Sequence, residues 1–135
     1  AGGAACGAWG GAFGGVGGLI LAWGACLALD WASGSAAAAA KGNWSSAAAR
    51  AGVRAKLGMM LVVVVGAVTD SVVRVAVPHL PGLGLDYSVL VLPVILVWYI
   101  FTELGSIAEN ATDLGAPVPA WLTKLLAAGQ EASRR

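Results

Sequence analysis

The chain has 135 residues, of which 59% are hydrophobic and only 11% are charged, a composition well outside the ordinary soluble range. Eight Lys and Arg against seven Asp and Glu give a formal net charge of +1, so the basic excess that nucleic-acid binding needs is absent. Cys6 and Cys26 share no spacing with further ligands, and His79 is the only histidine. No disulfide framework, metal site, cofactor or Ser-His catalysis is therefore indicated.

Long uncharged stretches are the most informative feature of the sequence. Residues 1–29, 57–69 and 87–102 contain no Asp, Glu, Lys or Arg. A helix crosses a hydrocarbon layer of about 30 Å with about 20 apolar residues. The pattern predicts one all-α membrane domain with three transmembrane helices, at about 9–29, 57–77 and 87–107.

The first predicted span carries small residues at every fourth position: Gly10, Gly14, Gly18 and Ala22. In lipid, this spacing allows two helix backbones to approach closely, so it is typical of helix-packing seams. A coding sequence rich in alanine and glycine codons explains the same pattern equally well. A packing seam is therefore one of two open interpretations.

The second predicted span is rich in valine, but its apolar length exceeds that of a usual strand and favours a helix. Asp70 and Arg74 lie one helical turn apart near its end. The simpler interpretation is a structural ion pair in which Arg74 reaches toward the nearer interface. The functional alternative is that Asp70 lines a wet path or a contact between helices.

The third predicted span contains Pro93, which we expect to kink the helix. After it, Glu103, Ser106, Asn110 and Asp113 follow at steps of three and four residues, which predicts a polar face on an amphipathic extension. Gly115, Pro117 and Pro119 are typical of a helix end. A short final helix, Ala120 to about Ala128, is expected to lie along the membrane surface.

The basic residues predict the orientation. The segment 31–56 carries Lys41, Arg50, Arg54 and Lys56, whereas the segment between spans two and three has no Lys or Arg. The positive-inside rule then places segment 31–56 and the tail 108–135 in the cytoplasm, with the N-terminus outside. Asp30 and Glu103 come to similar depth near the cytoplasmic ends, and Asp70 lies in the outer part. Ser45 or Ser46 is expected to cap the helix that leads into span two.

Two groups of residues carry a resemblance to a known family. The C-terminal group is the more specific: Tyr99-x-x-x-Glu103-x-x-Ser106-Ile107-x-x-Asn110, followed by Leu114-Gly115-x-Pro117-x-Pro119-x-x-Leu122. The order Asp30, Gly34, Lys41, Ser45-Ser46, Arg54, Lys56 and Asp70 precedes it. From about Ala28 to the C-terminus, the chain resembles the phage holins described as toxin-secretion and phage-lysis holins. The Gly-rich head and the alanine-rich loop depart from that pattern.

The resemblance implies a small protein of the bacterial inner membrane, not an enzyme. Such a protein gathers as a homo-oligomer in the lipid bilayer and opens holes that release a cytoplasmic murein hydrolase or a toxin. The residues themselves meet these requirements. Small residues at regular spacing allow helices to associate, and Asp30, Asp70 and Glu103 are polar groups that could line an aqueous lumen. Arg74, Ser106 and Asn110 complete the candidate set of intramembrane polar, pore or helix-contact residues.

Other classes of protein fit the sequence less well. A small channel or transporter subunit also places carboxylates in its spans, but three scattered acids and one Arg form no evident binding site. An intramembrane enzyme needs an activated nucleophile or an acid pair, and Asp30 and Asp70 fall at opposite ends of the predicted bundle. A structural membrane scaffold remains the residual alternative.

The predicted orientation is testable with a reporter fused after Arg135. If the chain crosses the membrane three times with a cytoplasmic basic loop, a reporter that is active only in the cytoplasm will be active. A second fusion within residues 81–84, between spans two and three, is the control and should be inactive. Activity of the first fusion only outside the cell would contradict the three-span topology.

Overall fold

The computed structural model describes residues 15–80, 82 and 91–134. Within these residues it contains four α-helices: α1 (Val16–Ala40), α2 (Ser46–Ala76), α3 (Val91–Asp113) and α4 (Ala120–Arg134). A short 3-10 turn, Val77–His79, continues α2. Helices α1, α2 (with its 3-10 turn) and α3 are each long and apolar enough to cross a membrane. The predicted all-α class with three such helices is confirmed.

Helix α1 ends later than predicted. It continues through Asp30 to Ala40, so within the predicted cytoplasmic segment 31–56 only residues 41–45 lie outside a helix. The reason is local. Five alanines precede Lys41, and alanine has the highest helix propensity of any residue type. Gly42 then ends the helix with φ 73°, and the Asn43 N–H donates to the Ala38 carbonyl at 2.8 Å, as in a Schellman motif. Residues 9–14 of the predicted span lie outside the described residues.

Helix α2 begins where the sequence predicts. The Ser45 hydroxyl accepts a hydrogen bond from the Ala48 N–H at 3.1 Å, which confirms the expected N-terminal cap. The helix has 31 residues, so it extends about 46 Å at 1.5 Å per residue. It is therefore longer than the hydrocarbon layer, and its first turns project beyond a span.

Helix α3 corrects the expectation of a kink. The described part of α3 begins at Val91, and the Val91 and Leu92 N–H groups donate to Asp70. Pro93 therefore lies next to N–H groups that have an acceptor outside the helix, a position at which proline is tolerated. The other end is as predicted. Gly115 has φ 91°, and the Ala116 N–H donates to the Ala111 carbonyl at 2.9 Å, which closes a second Schellman motif.

Helix α4 is longer than predicted and lies against α3. It runs to Arg134, and Gln130 Nε2 donates to Thr102 Oγ1 at 3.1 Å. Gly129 lies so close to the Phe101 ring that an added Cβ would overlap it. Since Phe101 and Thr102 lie far from the C-terminal end of α3, α4 runs back along α3. Helix α4 therefore packs on α3, and its position relative to the membrane surface stays a prediction.

One face of each of the first three helices forms the interior of the bundle. These faces repeat at steps of three and four residues, as in helices that pack side by side. Six side chains form the apolar core, in which Leu96 is fully buried and the Trp23 and Tyr99 rings stack at 6.1 Å. The six are Trp23, Leu27, Val63, Leu92, Leu96 and Tyr99.

Helix α2 contacts α3 closely at one glycine. A Cβ added at Gly66 would lie 2.8 Å from Ile95 Cδ1 and 3.6 Å from Leu92 Cα. A small residue is therefore required at this crossing, because any longer side chain separates the two backbones.

Replacement of that glycine should loosen the bundle. We expect Gly66→Leu to lower the free energy of unfolding by about 2 kcal/mol, because overpacking forces the helices apart. The measurement is unfolding of the detergent-solubilised protein, followed by circular dichroism. Gly58→Leu is the matched control, since a Cβ added at Gly58 meets nothing within 4 Å. Equal stability of the two variants would contradict close packing at Gly66.

Candidate functional site: a charged cluster inside the helix bundle

One ammonium group joins three helices. Lys56 Nζ on α2 donates to Asp30 Oδ2 on α1 at 2.9 Å and to Glu103 Oε2 on α3 at 3.0 Å. The side chains of Lys56, Asp30 and Glu103 are 16%, 17% and 6% exposed. Charged groups that are this deeply buried are stable only when they are paired. The three residues therefore form a structural and electrostatic centre, which we call the Lys56 cluster.

Asn110 extends the cluster along α3. Its Nδ2 lies 3.1 Å from Asp30 Oδ1 and 3.0 Å from Ser33 Oγ. Helices α1 and α3 are close at this level, since a Cβ added at Gly34 would be in contact with Asn110 Nδ2 at 3.4 Å. One turn further, Lys41 Nζ pairs with Asp113 Oδ2 at 3.1 Å at a more exposed position. The contact between α1 and α3 is thus polar over its last three turns.

A cavity of about 410 Å³ opens beside the cluster, between α1 and α2. Asp30, Lys56, Glu103, Ser106 and Asn110 form its polar wall. Its other walls consist mainly of small residues, with two tryptophans: Trp31, Gly34, Ser35, Ala38, Trp44, Ser45, Ala48, Ala49, Gly52, Ala55 and Met59. The cavity places the charged groups next to space large enough for water.

The Lys56 cluster carries an excess of negative charge. Two carboxylates face one ammonium, so the formal sum is one negative charge when all three groups are ionised. Asn110 donates to Asp30, which stabilises that carboxylate without adding charge. Lys56 is the one cationic group in the cluster and donates to both acids, so it is the only member that neutralises the other two. The three residues are therefore not equivalent.

A second polar contact holds the other end of α2. Asp70 Oδ1 accepts from the Val91 N–H and Asp70 Oδ2 accepts from the Leu92 N–H, both at 2.8 Å. The first N–H groups of a helix have no acceptor within it, and the positive end of the helix dipole favours an anion. Asp70 is 7% exposed. We call this contact the Asp70 clasp.

The clasp corrects the expected ion pair between Asp70 and Arg74. In the described part of the chain, no ion pair joins these two side chains. Asp70 points into the bundle, whereas Arg74 is exposed. Two backbone N–H donors that the helix holds in place bind the carboxylate, whereas a guanidinium at the exposed Arg74 can be solvated by water or lipid head groups.

The predicted site residues thus divide into separate groups. Asp30, Glu103, Ser106 and Asn110 lie together, while Asp70 and Arg74 lie about 21 Å and about 27 Å along α2 from Lys56. Among the small residues of the first span, Ala22 is exposed and Gly18 is half-buried on α1. Gly10 and Gly14 lie outside the described residues, and the packing seam stays a prediction.

Lys56 is the member of the site that sequence reasoning missed. The pattern of basic residues predicts a position for Lys56 in the basic loop, although Lys56, Val63 and Asp70 follow one another at intervals of seven residues and share one helix face. Met59 and Gly66 repeat the same interval on that face. Extending this period toward the N-terminus of α2 would have placed Lys56 inside the bundle.

The unequal roles in the cluster make a testable prediction. Lys56→Met leaves two buried carboxylates unpaired, so we expect the free energy of unfolding to fall by about 3 kcal/mol. Glu103→Gln removes the excess negative charge and keeps a polar acceptor, so it should cost under about 1 kcal/mol. The measurement is the unfolding of each variant in detergent. Lys124→Met, at an exposed position on α4, is the matched control for the loss of a lysine. Equal decreases in the free energy of unfolding from Lys56→Met and Glu103→Gln would contradict the charge argument.

Comparison with known proteins places this architecture in a family. A Halalkalibacterium halodurans protein described only as uncharacterized is 30% identical over 100 residues, which is 74% of this chain and 69% of the relative. No solved structure matches the chain significantly. The model of the bacteriophage holin family matches residues 7–130, which include all three membrane-length helices and the Lys56 cluster. The chain belongs to the bacteriophage holin family.

Proposed function

We propose that this protein inserts in the bacterial inner membrane, gathers as a homo-oligomer and opens holes that release a cytoplasmic murein hydrolase or a toxin. It acts without catalysis and without a cofactor. In this topology the N-terminus lies outside, and the connection 41–45 and α4 lie on the cytoplasmic side. The lipid bilayer and further copies of the chain are its direct partners.

The observation that carries the proposal is a charged and polar interior in a bundle of three membrane-length helices. The apolar half of the interior, around Leu96, is suited to a closed bundle in lipid. The half around Lys56 contains groups that water solvates well. Polar groups in membrane helices face a bundle interior or a water-filled space. The same groups therefore suit both a closed chain and the wall of an aqueous hole.

Helix α2 is the element best placed to move. The Lys56 cluster and the Asp70 clasp hold it at two points, and a narrow row formed by Met59, Val63 and Gly66 lies between them. The cavity beside the cluster separates part of α2 from α1. Water that replaces the contacts of Lys56 and Asp70 would release α2 and leave Asp30, Glu103 and Asn110 facing an aqueous space.

The test measures membrane potential in cells that express the chain without any lysis enzyme. A holin should collapse the potential abruptly after a delay. We expect Asp70→Leu to shorten the delay, because one of the two polar contacts of α2 is lost. Glu103→Leu should insert normally but give smaller lesions, measured by the size of the largest dye that enters, because a polar wall group is lost.

Glu109→Leu is the matched control, since Glu109 is an exposed acid on the same helix as Glu103. Unchanged delay and lesion size in both test variants would remove these residues from the mechanism. A slow, saturable and ion-selective flux from the unaltered chain would contradict hole formation and favour a channel or transporter subunit.

A further inference from the structure

The side of α2 that faces away from the bundle forms one continuous stripe. It begins with two exposed arginines and continues with exposed apolar side chains at steps of three and four residues. This α2 outer stripe consists of Arg50, Arg54, Leu57, Leu61, Val64, Val68, Val72 and Val75. At 100° per residue, the stripe lies opposite the buried row that contains Lys56, Val63 and Asp70.

The apolar part of the stripe is fully available for contact. Leu61 is 68% exposed and Val75 is 66% exposed, and the four other apolar members are between 54% and 59% exposed. Leu57 and Val75 are separated by about 27 Å along the helix, which is close to the thickness of a hydrocarbon layer. The apolar part of the stripe therefore matches the acyl region of a bilayer in both length and chemistry.

The arginines lie beyond the end of that apolar part. Lys41 and Lys56, near the same end of the bundle, contact acidic side chains. Among the described residues, in contrast, Arg50 and Arg54 make no ion pair. The only acid in α2, Asp70, lies on the opposite side. Two guanidinium groups one turn apart, without acidic partners, suit phosphate oxygens, because guanidinium binds phosphate in a bidentate manner.

We propose that the α2 outer stripe is a binding surface for a phospholipid with a negatively charged head group. Its phosphate lies between Arg50 and Arg54, and its acyl chains lie along Leu57, Leu61 and Val64. An anionic head group is favoured over a zwitterionic one because the latter carries its own cation beside the phosphate. The inference requires α2 to lie in a bilayer but is independent of hole formation.

The test is lipid retention by the purified full-length chain, measured by native mass spectrometry from detergent micelles. Phosphatidylglycerol and phosphatidylcholine with identical acyl chains are supplied at equal concentration. We expect the unaltered chain to retain phosphatidylglycerol with about tenfold preference. The double variant Arg50→Gln/Arg54→Gln should lose this preference, while Lys124→Gln should keep it.

Further arms identify the ligand and control for folding. Inorganic phosphate should not displace the lipid, because it has no acyl chains, and displacement would overturn the lipid assignment. Arg50→Lys/Arg54→Lys keeps both charges and should retain most of the preference.

If the double glutamine variant loses its helical circular dichroism, the single variants replace it, and each is expected to lose part of the preference for phosphatidylglycerol. Equal retention of both lipids by the unaltered chain, or an unchanged preference in the folded glutamine variants, would overturn the proposal. Dye release from vesicles, measured separately, reports on hole formation and so separates the two failures.

Discussion

The sharing of one ammonium group by two carboxylates is the interaction on which the arrangement of the helices depends. Asp30, Lys56 and Glu103 come from α1, α2 and α3, respectively. Burial of any one of these charges alone would be costly, and in an apolar surrounding the cost rises further. Each helix must therefore present its charged residue at the same level as the other two. That requirement sets the relative positions of the three helices along the bundle axis, which the apolar contacts around Leu96 and Tyr99 specify less strictly.

The second constraint is the Asp70 clasp at the start of α3. It satisfies two backbone N–H groups that the helix itself leaves without acceptors, and in lipid such groups have no water to bind. Lys56 and Asp70 lie on one face of α2, separated by four helical turns, and between them Gly66 brings α2 close to α3. A weakly packed helix is thus held by specific polar contacts at two levels. Hydrophobic burial contributes less here, because in lipid the exposed valines of α2 are as well solvated as the buried ones.

Much of the fold is predictable from the sequence, because the uncharged stretches, the Ser45 cap and the Gly115 terminus are local signals. The charge at Asp30 predicts the end of a span, but alanines continue the helix beyond it to Ala40. A proline inside an apolar stretch predicts a kink, because the sequence carries no signal that the N–H groups of Val91 and Leu92, just before Pro93, are bonded to Asp70. The position of α4 depends on the contact of Gly129 with Phe101, which no local pattern reveals.

The candidate site was also predictable only in part, because contacts between residues far apart in the sequence leave no local pattern. Asp30 and Glu103 were expected at similar depth, and the structure brings them to one lysine. The positive-inside rule predicts that Lys56 is one of four basic residues in the loop, because it treats every lysine as solvated. The partner of Asp70 was a backbone terminus rather than a side chain, and a sequence pattern has no signal for a contact of that kind. Polar contacts between residues that are far apart in the sequence are therefore visible only in the three-dimensional structure of this protein.

In the proposed mechanism, the Lys56 cluster allows one chain to suit both a closed state and a hydrated state. In the closed chain, Lys56 satisfies both acids and Asn110 supplies a further donor to Asp30, so these polar groups have protein partners. The same polar groups line a cavity. Water that enters the cavity can replace each of their hydrogen bonds within the protein by one of similar strength. Desolvation of the three charges opposes the closed state, and their pairing favours it. In the proposed mechanism, these two contributions have opposite signs, and water that enters near the cluster shifts the balance toward the hydrated state. An entirely apolar interior would lack this sensitivity, because water entering it would gain no hydrogen bonds.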